Sequence, residues 1–466
     1  MSSIQDTICA IATPNGLGAQ GTIKISGSES LSIVSQIFFP ARKGVFINEI
    51  PPYSSAYGWI KEPKTGESID DAMVLVMRAP HSYTGEDQVE ITCHGSPFVL
   101  SLVIKLLLRH GARLAEPGEF TRRAFANGKM DLSQAESVAD LIASTNKAAL
   151  RLSITQMKGI FRHKIEDLRE QLINFASLIE LELDFSEEDI EFVSREELKS
   201  RCSNITKEIL ELAKSYETSQ VIKNGIPIAI VGSTNAGKST LLNGLLQEDK
   251  AIVSDIHGTT RDIIEDTLFI DGQQFRIIDT AGIRQTEDKI ESIGIKRALE
   301  RAGNAEHILW MIDPSEQLSE LDILLQSLAN YQEKITPIIN KTDISSSDQI
   351  ENISAWLTER LANKELRISA KSTDGIAQVR ELLHNQFKHI TVANDQVMVT
   401  NIRQAEALYK ASEALQNVSE GISLGLSGDL LAQDLRAATS ALGEVIGEVT
   451  TDDLLGNIFA NFCIGK

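Results

Sequence analysis

One segment constrains this chain more than any other: IPIAIVGSTNAGKSTLLNGLL, residues 226–246. IPIAIV is an apolar run of strand length. GSTNAGKS fits the spacing G-x-x-x-x-G-K-[ST] as Gly232, Gly237, Lys238 and Ser239. TLLNGLL then opens a helical pattern. A strand feeding a glycine loop that starts a helix turns successive N–H groups inward and builds an anion cradle. Lys238 can reach terminal phosphates there, and Ser239 can give its hydroxyl to Mg²⁺. Downstream, QFRIID, HILWMID, ITPIIN and LRIS alternate with helical stretches up to about residue 386. That alternation predicts a parallel-sheet α/β layer over 225–386, a P-loop domain.

Further boxes extend the nucleotide pattern. DTAG (Asp279, Thr280, Ala281, Gly282) follows a strand, where a carboxylate can hold the Mg²⁺ hydration shell and Gly282 can offer its N–H to a γ-phosphate. Between it and the first loop lies SDIHGTTRD, with Ser254, Asp255, Ile256, His257, Gly258, Thr259 and Thr260; Thr260 is the residue chosen to complete the Mg²⁺ shell. NKTD (Asn340, Lys341, Thr342, Asp343) follows an apolar strand. Its Asp343 can accept from both N1–H and the exocyclic amine of guanine, a donor pair adenine lacks. SAK (Ser369, Ala370, Lys371) can offer a backbone N–H to the guanine carbonyl. With Asn235, Ala236 and Thr240 of the first loop, these boxes predict a GTP site. Ile283 stands just after the DTAG glycine, where signalling GTPases carry a water-orienting glutamine. Asn235 and carbonyls of SDIHGTT could instead hold a monovalent cation against the phosphate charge. Glu291 is the candidate to position the water; a solvated helix carboxylate is the plainer reading.

The flanks have a different texture. Residues 1–126 read as an α+β domain, from the short strands in DTICAIAT, GTIKIS, AMVLVM and QVEITC and a helix over 97–109. From Ser133 apolar residues recur at three- and four-residue spacing. Ser133 and Glu136 have capping-box spacing, which predicts a helix start there. The pattern runs to about Val221, NGIP breaks it, and helical texture returns after residue 400. One helical domain, 127–224 with 387–466, interrupted by the α/β domain explains this economically; two separate helical domains is the alternative. A length of 466 residues suits about three domains.

The formal net charge is -20. Such a chain cannot hold RNA by general electrostatic attraction, so RNA contact needs a local patch or a basic partner. Four scattered cysteines, no CxxC pair and no signal-like start lead us to expect a reducing cytoplasm and no zinc site. No apolar run approaches the ~20 residues of a membrane span. The strongly acidic LDFSEEDIEF, residues 183–192, reads as a solvated connection between helices or a dock for a basic partner.

NAGKS and GTTRD, together with ATPNGLGAQGTIKISG, SYTGEDQVEITCHG, EPGEFTRRAFANGKMDLSQAE and the ending CIGK, carry a resemblance over essentially the whole chain. It resembles the TrmE-type tRNA-modification GTPases. That resemblance implies a homodimer with an N-terminal folate-binding and dimerisation domain and a helical domain split by the G domain. It implies a flavin- and NADH-using partner, MnmG, with which aminomethyl or carboxymethylaminomethyl groups are added at carbon five of the wobble uridine (position 34) of certain tRNAs. It places K⁺ ligands on Asn235, Ser254, Ile256 and Thr259, Mg²⁺ ligands on Ser239 and Thr260, and the water-positioning carboxylate on Glu291. Contacts to a formyl- or methylene-tetrahydrofolate fall on Lys24, Glu90, Lys129 and Lys466. Lys24 stands where Arg is more usual, turning a bidentate grip into a point contact. Cys463 could join one-carbon chemistry, although burial alone also accounts for a cysteine. The competing readings are a ribosome-assembly GTPase switch and a folate-binding scaffold that uses GTP only to dimerise.

Overall fold

The computed structural model describes residues 6–184, 194–249, 266–278, 302–388, 397–448, 452–460, 462 and 464–465. It divides into two compact units: Met1–Ala143 with Ser153–Ala213 and Asn401–Lys466, and Ser144–Leu152 with Lys214–Thr400.

In the first unit the strands are β1 (Ile8–Ile11), β2 (Gln20–Ser26), β3 (Phe38–Pro40), β4 (Ser54–Lys61), β5 (Ser68–Met77), β6 (Gln88–His94) and β7 (Arg113–Leu114), in one sheet ordered β3-β4-β5-β6-β2-β1-β7. Alternation decides which face is buried. Ile23, Ile25, Val74, Val76, Val89 and Ile91 point to one side and form a core with helices Ser30–Ile37 and Pro97–Arg109. The opposite face carries Lys24, whose Cα partners are Ala10 on β1 and Glu90 on β6. β3, β4 and β7 were not among the sequence-based strands: β3 and β7 are short, and β4 mixes polar with aromatic residues.

The helical part of this unit includes Leu132–Ala143, Ile160–Asp184, Ile402–Leu424 and Gly428–Ile446. Leu168, Leu172, Leu408, Leu415, Leu435 and Leu442 are fully buried there. The predicted cap at Ser133 and Glu136 is displaced by two residues. Asp131 Oδ1 accepts the Gln134 N–H and Gln134 Oε1 accepts the Asp131 N–H, both at 2.9 Å, closing the box one residue before Leu132. Glu136 is buried instead, and accepts from Arg403 at 2.9 and 3.0 Å and from Gln404 at 2.6 Å. A long-range guanidinium is a stronger partner for a buried carboxylate than a helix N-terminus three residues away.

The second unit holds β8 (Ile226–Val231), β9 (Asp266–Ile270), β10 (Gln273–Ile277), β11 (His307–Ile312), β12 (Ile335–Ile339) and β13 (Leu366–Arg367), ordered β13-β12-β11-β8-β10-β9. All pairings are parallel except β9 with β10. β8, β11 and β12 are buried along their whole length, which is why they read as continuous apolar runs. Apolar clusters cover both faces, Leu241, Leu245 and Phe275 on one, Trp310 and Trp356 on the other. Among the described residues no helix is long and apolar enough to cross a membrane.

Candidate functional site

β8 ends at Val231 and helix Lys238–Asp249 begins after a turn of six residues. Gly232 and Gly237 have φ +144° and +101°. A side chain at Gly232 would strike the Met311 carbonyl, and one at Gly237 the Asn340 amide. Glycine is therefore required twice, by conformation and by room. Asn235 also takes a left-handed conformation, φ +71°, which asparagine tolerates. Lys238 Nζ donates to the carbonyls of Gly232 (2.9 Å) and Ser233 (2.6 Å), folding back over its own loop.

The loops after β12 and β13 close on this turn. Asn340 is buried, and its amide joins two stretches: Nδ2 donates to Ala236 O and Oδ1 accepts the Ala370 N–H, each at 2.8 Å. Its amide thus ties the phosphate loop to SAK. The Thr342 N–H donates to Ile368 O at 3.2 Å. The result is a pocket of about 310 Å³. Asn235, Gly237, Lys238, Ser239 and Thr240 form one wall, Asn340, Lys341 and Asp343 a second, and Ser369, Ala370 and Lys371 a third. Ile344 also lines it.

The loop after β11 was missed as part of the site. Asp313 accepts from Lys341 Nζ at 2.6 Å, and Glu316 accepts from the Ser233 hydroxyl at 2.5 Å. Burial works against the Asp313 charge, but donors from Lys341 and Ser315 outweigh it and hold the carboxyl below its ordinary value. Burial raises the Glu316 carboxyl. DPSE after an apolar strand was the available signal, but nothing in the sequence says which loops its carboxylates meet.

Of the predicted nucleotide residues, Ser254, Asp255, Ile256, His257, Gly258, Thr259, Thr260, Asp279, Thr280, Ala281, Gly282 and Glu291 lie outside the described residues, as do Cys463 and Lys466. In the first unit, Lys24 faces Glu90 across β2 and β6, and its amine lies 5.9 Å from the Tyr83 ring centroid. Lys129 Nζ donates to Pro80 O at 2.9 Å. Both lysines thus border the 80–85 turn. That turn is fixed from below. Tyr83 and Thr121 hydroxyls meet at 2.9 Å, Ser26 and Thr84 at 2.7 Å, and Asn127 donates to Thr84 O. Arg123, only 1% exposed, pairs with Glu119, Glu86 and Asp6. The motifs SYTGED and EFTRRAFANGK are therefore two sides of one hydrogen-bonded frame. Gly465, φ +94° and buried, returns to the same sheet and sits against Ile11 and Ala12 at the end of β1.

Asp70, Asp71 and His94 form a group of metal-type donors, but Asp70 already accepts from both the His94 N–H and its ring at 2.8 Å, an ordinary hydrogen-bonded pair. Cys9, Cys93 and Cys202 are buried free thiols, Cys9 pushed up to about 12 and Cys93 to about 11 by burial. None of these three offers a thiolate at neutral pH.

Comparison with known proteins covers both units. Residues 7–129 match the family described as GTP-binding protein TrmE N-terminus, and residues 132–463 the family described as MnmE helical domain. A protein named tRNA modification GTPase MnmE from Bacteroides fragilis (strain YCH46) is 50% identical, over 99% of this chain and 100% of its own length. Proteins of the same name from Parabacteroides distasonis and Flavobacterium johnsoniae are 48% and 47% identical, each over 99% of this chain and 100% and 99% of theirs.

Proposed function

The chain belongs to the MnmE family of tRNA modification GTPases, and on that premise we propose that it hydrolyses GTP to GDP and phosphate in the pocket beside Gly232–Ser239, with K⁺ and Mg²⁺, as one half of a tRNA-modifying system. The observation that carries this reading is the convergence of the phosphate loop, NKTD and SAK on one pocket, held together by the buried amide of Asn340. Asp343 selects guanine there, because a base without the donor pair leaves its carboxylate unmatched. Lys238 and the loop N–H groups neutralise the phosphates.

The residues present fit the metals this chemistry needs. Ser239 lines the pocket beside Lys238 and suits Mg²⁺, with Thr260 as its second ligand. Asn235, on the same wall, suits K⁺ together with Ser254, Ile256 and Thr259. Bound there, the monovalent cation supplies positive charge against the phosphates. Glu291 positions the attacking water.

The second site of the reading is on the N-terminal sheet. Lys24, Glu90, Lys129 and Lys466 would hold a tetrahydrofolate derivative, the lysines suiting its anionic end, and Cys463 is the thiol available to one-carbon chemistry. Residues 1–126 bind folate and form the homodimer, 225–386 are the G domain, and 127–224 with 387–466 are the helical domain. A flavin-dependent partner, MnmG, joins in adding a carboxymethylaminomethyl or aminomethyl group at carbon five of the wobble uridine, in the cytoplasm. The charge of -20 fits a division in which the partner carries most of the basic surface for tRNA.

The test has two arms. GTP turnover is expected to be faster in K⁺ than in Na⁺ at equal ionic strength, and to fall in Glu291→Ala with nucleotide affinity retained; equal rates in the two salts would remove the cation. Nucleoside mass analysis of tRNA from cells lacking this protein is expected to show loss of the wobble-uridine modification, and an unchanged profile rejects the reading.

A further inference from the structure

One turn after β11 reaches both loops of the pocket. Asp313 Oδ1 accepts from the Ser315 N–H at 3.0 Å and its hydroxyl at 2.7 Å, and Glu316 Oε1 accepts the Asp313 N–H at 2.9 Å. From this closed turn the two carboxylates reach in different directions. Glu316 Oε1 takes the Ser233 hydroxyl, and the Ser233 carbonyl in turn holds Lys238 Nζ at 2.6 Å. Asp313 Oδ2 takes Lys341 Nζ. Lys341 has φ +58°, a left-handed conformation unfavourable for a lysine, so its place depends on partners that over-determine it.

We propose that Asp313 and Glu316 are positioning residues for the nucleotide: Glu316 sets the phosphate loop through Ser233, Asp313 sets the base loop through Lys341, and their common turn fixes the spacing of the two halves of the site. Glu316 suits the task because it is held by neutral donors, a hydroxyl and an N–H, in partly buried surroundings. The inference rests on the pocket being a guanine-nucleotide site.

The experiment measures affinities for GDP and for inosine diphosphate, which lacks the exocyclic amine that Asp343 reads. Glu316→Ala is expected to weaken both ligands equally, by about 10-fold, the size of a lost charge-assisted hydrogen bond. Ser233→Ala is expected to weaken both ligands as well, and the double variant to bind no more weakly than Glu316→Ala, which already removes the contact with Ser233. Glu316→Gln keeps the acceptor oxygen and is expected to stay within about 3-fold of the parent. Asp313→Ala is expected instead to narrow the preference for GDP over inosine diphosphate by about 5-fold. Additive losses in the double variant, or a Glu316→Gln protein as weak as Glu316→Ala, would overturn the clamp. Should Glu316→Ala not fold, Ser233→Ala decides: parental GDP affinity in that variant overturns the proposal. A parent that binds no GDP would strike the nucleotide-site reading itself, whereas a binding parent with unaffected variants strikes only the clamp.

Discussion

At the scale of single residues, buried polar groups explain more of the site than exposed ones. Asn340 has both ends of its amide engaged, and replacing it would leave a buried carbonyl and a buried N–H without partners. His307, at the start of β11, is the reverse case. It is 2% exposed, its Nε2 has no hydrogen-bond partner, and its ring meets Phe387 edge-on at 5.8 Å. Burial pushes the imidazole down to about 4, below its ordinary 6.5. The folded value is the lower one, so the unfolded chain takes up the proton first. Stability from this residue is complete above about pH 6.5 and is lost as the pH falls toward 4. Relative to the parent, His307→Leu is expected to remove about 2 kcal/mol of the stability change between pH 7 and pH 5. Urea-unfolding midpoints at the two pH values test this; identical pH dependence in both proteins would refute it.

Among elements, the helix joints are polar where the sequence suggested local capping. Glu136 and Arg403 are 267 positions apart, and Arg403 also donates to the carbonyls of Glu444 and Val445 at the end of the Gly428–Ile446 helix. One guanidinium thus pins three helices. Glu136→Ala is expected to destabilise by about 3–5 kcal/mol, because it strands a largely buried charge, while Glu136→Leu with Arg403→Met should recover much of the loss. Denaturant titration of the single and double variants distinguishes this from simple loss of volume, for which the double variant would be no better than the single. The strands show what is legible at this scale. β8, β11 and β12 were readable because both faces are buried. β4 was not, because its outward residues are exposed and mix aromatics with polar groups. β9 was missed as well; it is the antiparallel edge of its sheet.

For the whole molecule, the informative contact is that of Gly465 with the N-terminal sheet. Gly118, φ +65°, leaves no room for a side chain between Phe459 O and Phe462, and Gly465 leaves none against Ile11. Helix Asp452–Ala460 is anchored by Phe459, packed with Leu132, Ala135 and Leu455. The anchoring brings Gly465 to β1, whose Ala10 stands opposite Lys24. A Cβ at Gly465 would lie 2.6 Å from Ile11 O. Under the proposed function, Gly465→Ala or removal of Cys463–Lys466 should abolish tRNA modification and leave GTP turnover at the parental rate. Nucleoside analysis and phosphate release measure the two separately; survival of modification would reduce the stretch to packing.

The sequence by itself determined the class of the nucleotide domain, its strands apart from β9, and most of the residues lining the pocket, because phosphate binding demands glycines, a lysine and a hydroxyl at fixed local spacing. It also exposed the helical periodicity on either side. Tertiary structure alone decided that Glu136 serves Arg403 rather than a cap, that Asn340 joins two loops, that Asp313 and Glu316 stand behind the site, and that Gly465 returns to β1. Each of these depends on groups far apart in the chain. Local spacing records what a residue can do within a turn or two; burial and long-range register choose which partner it meets.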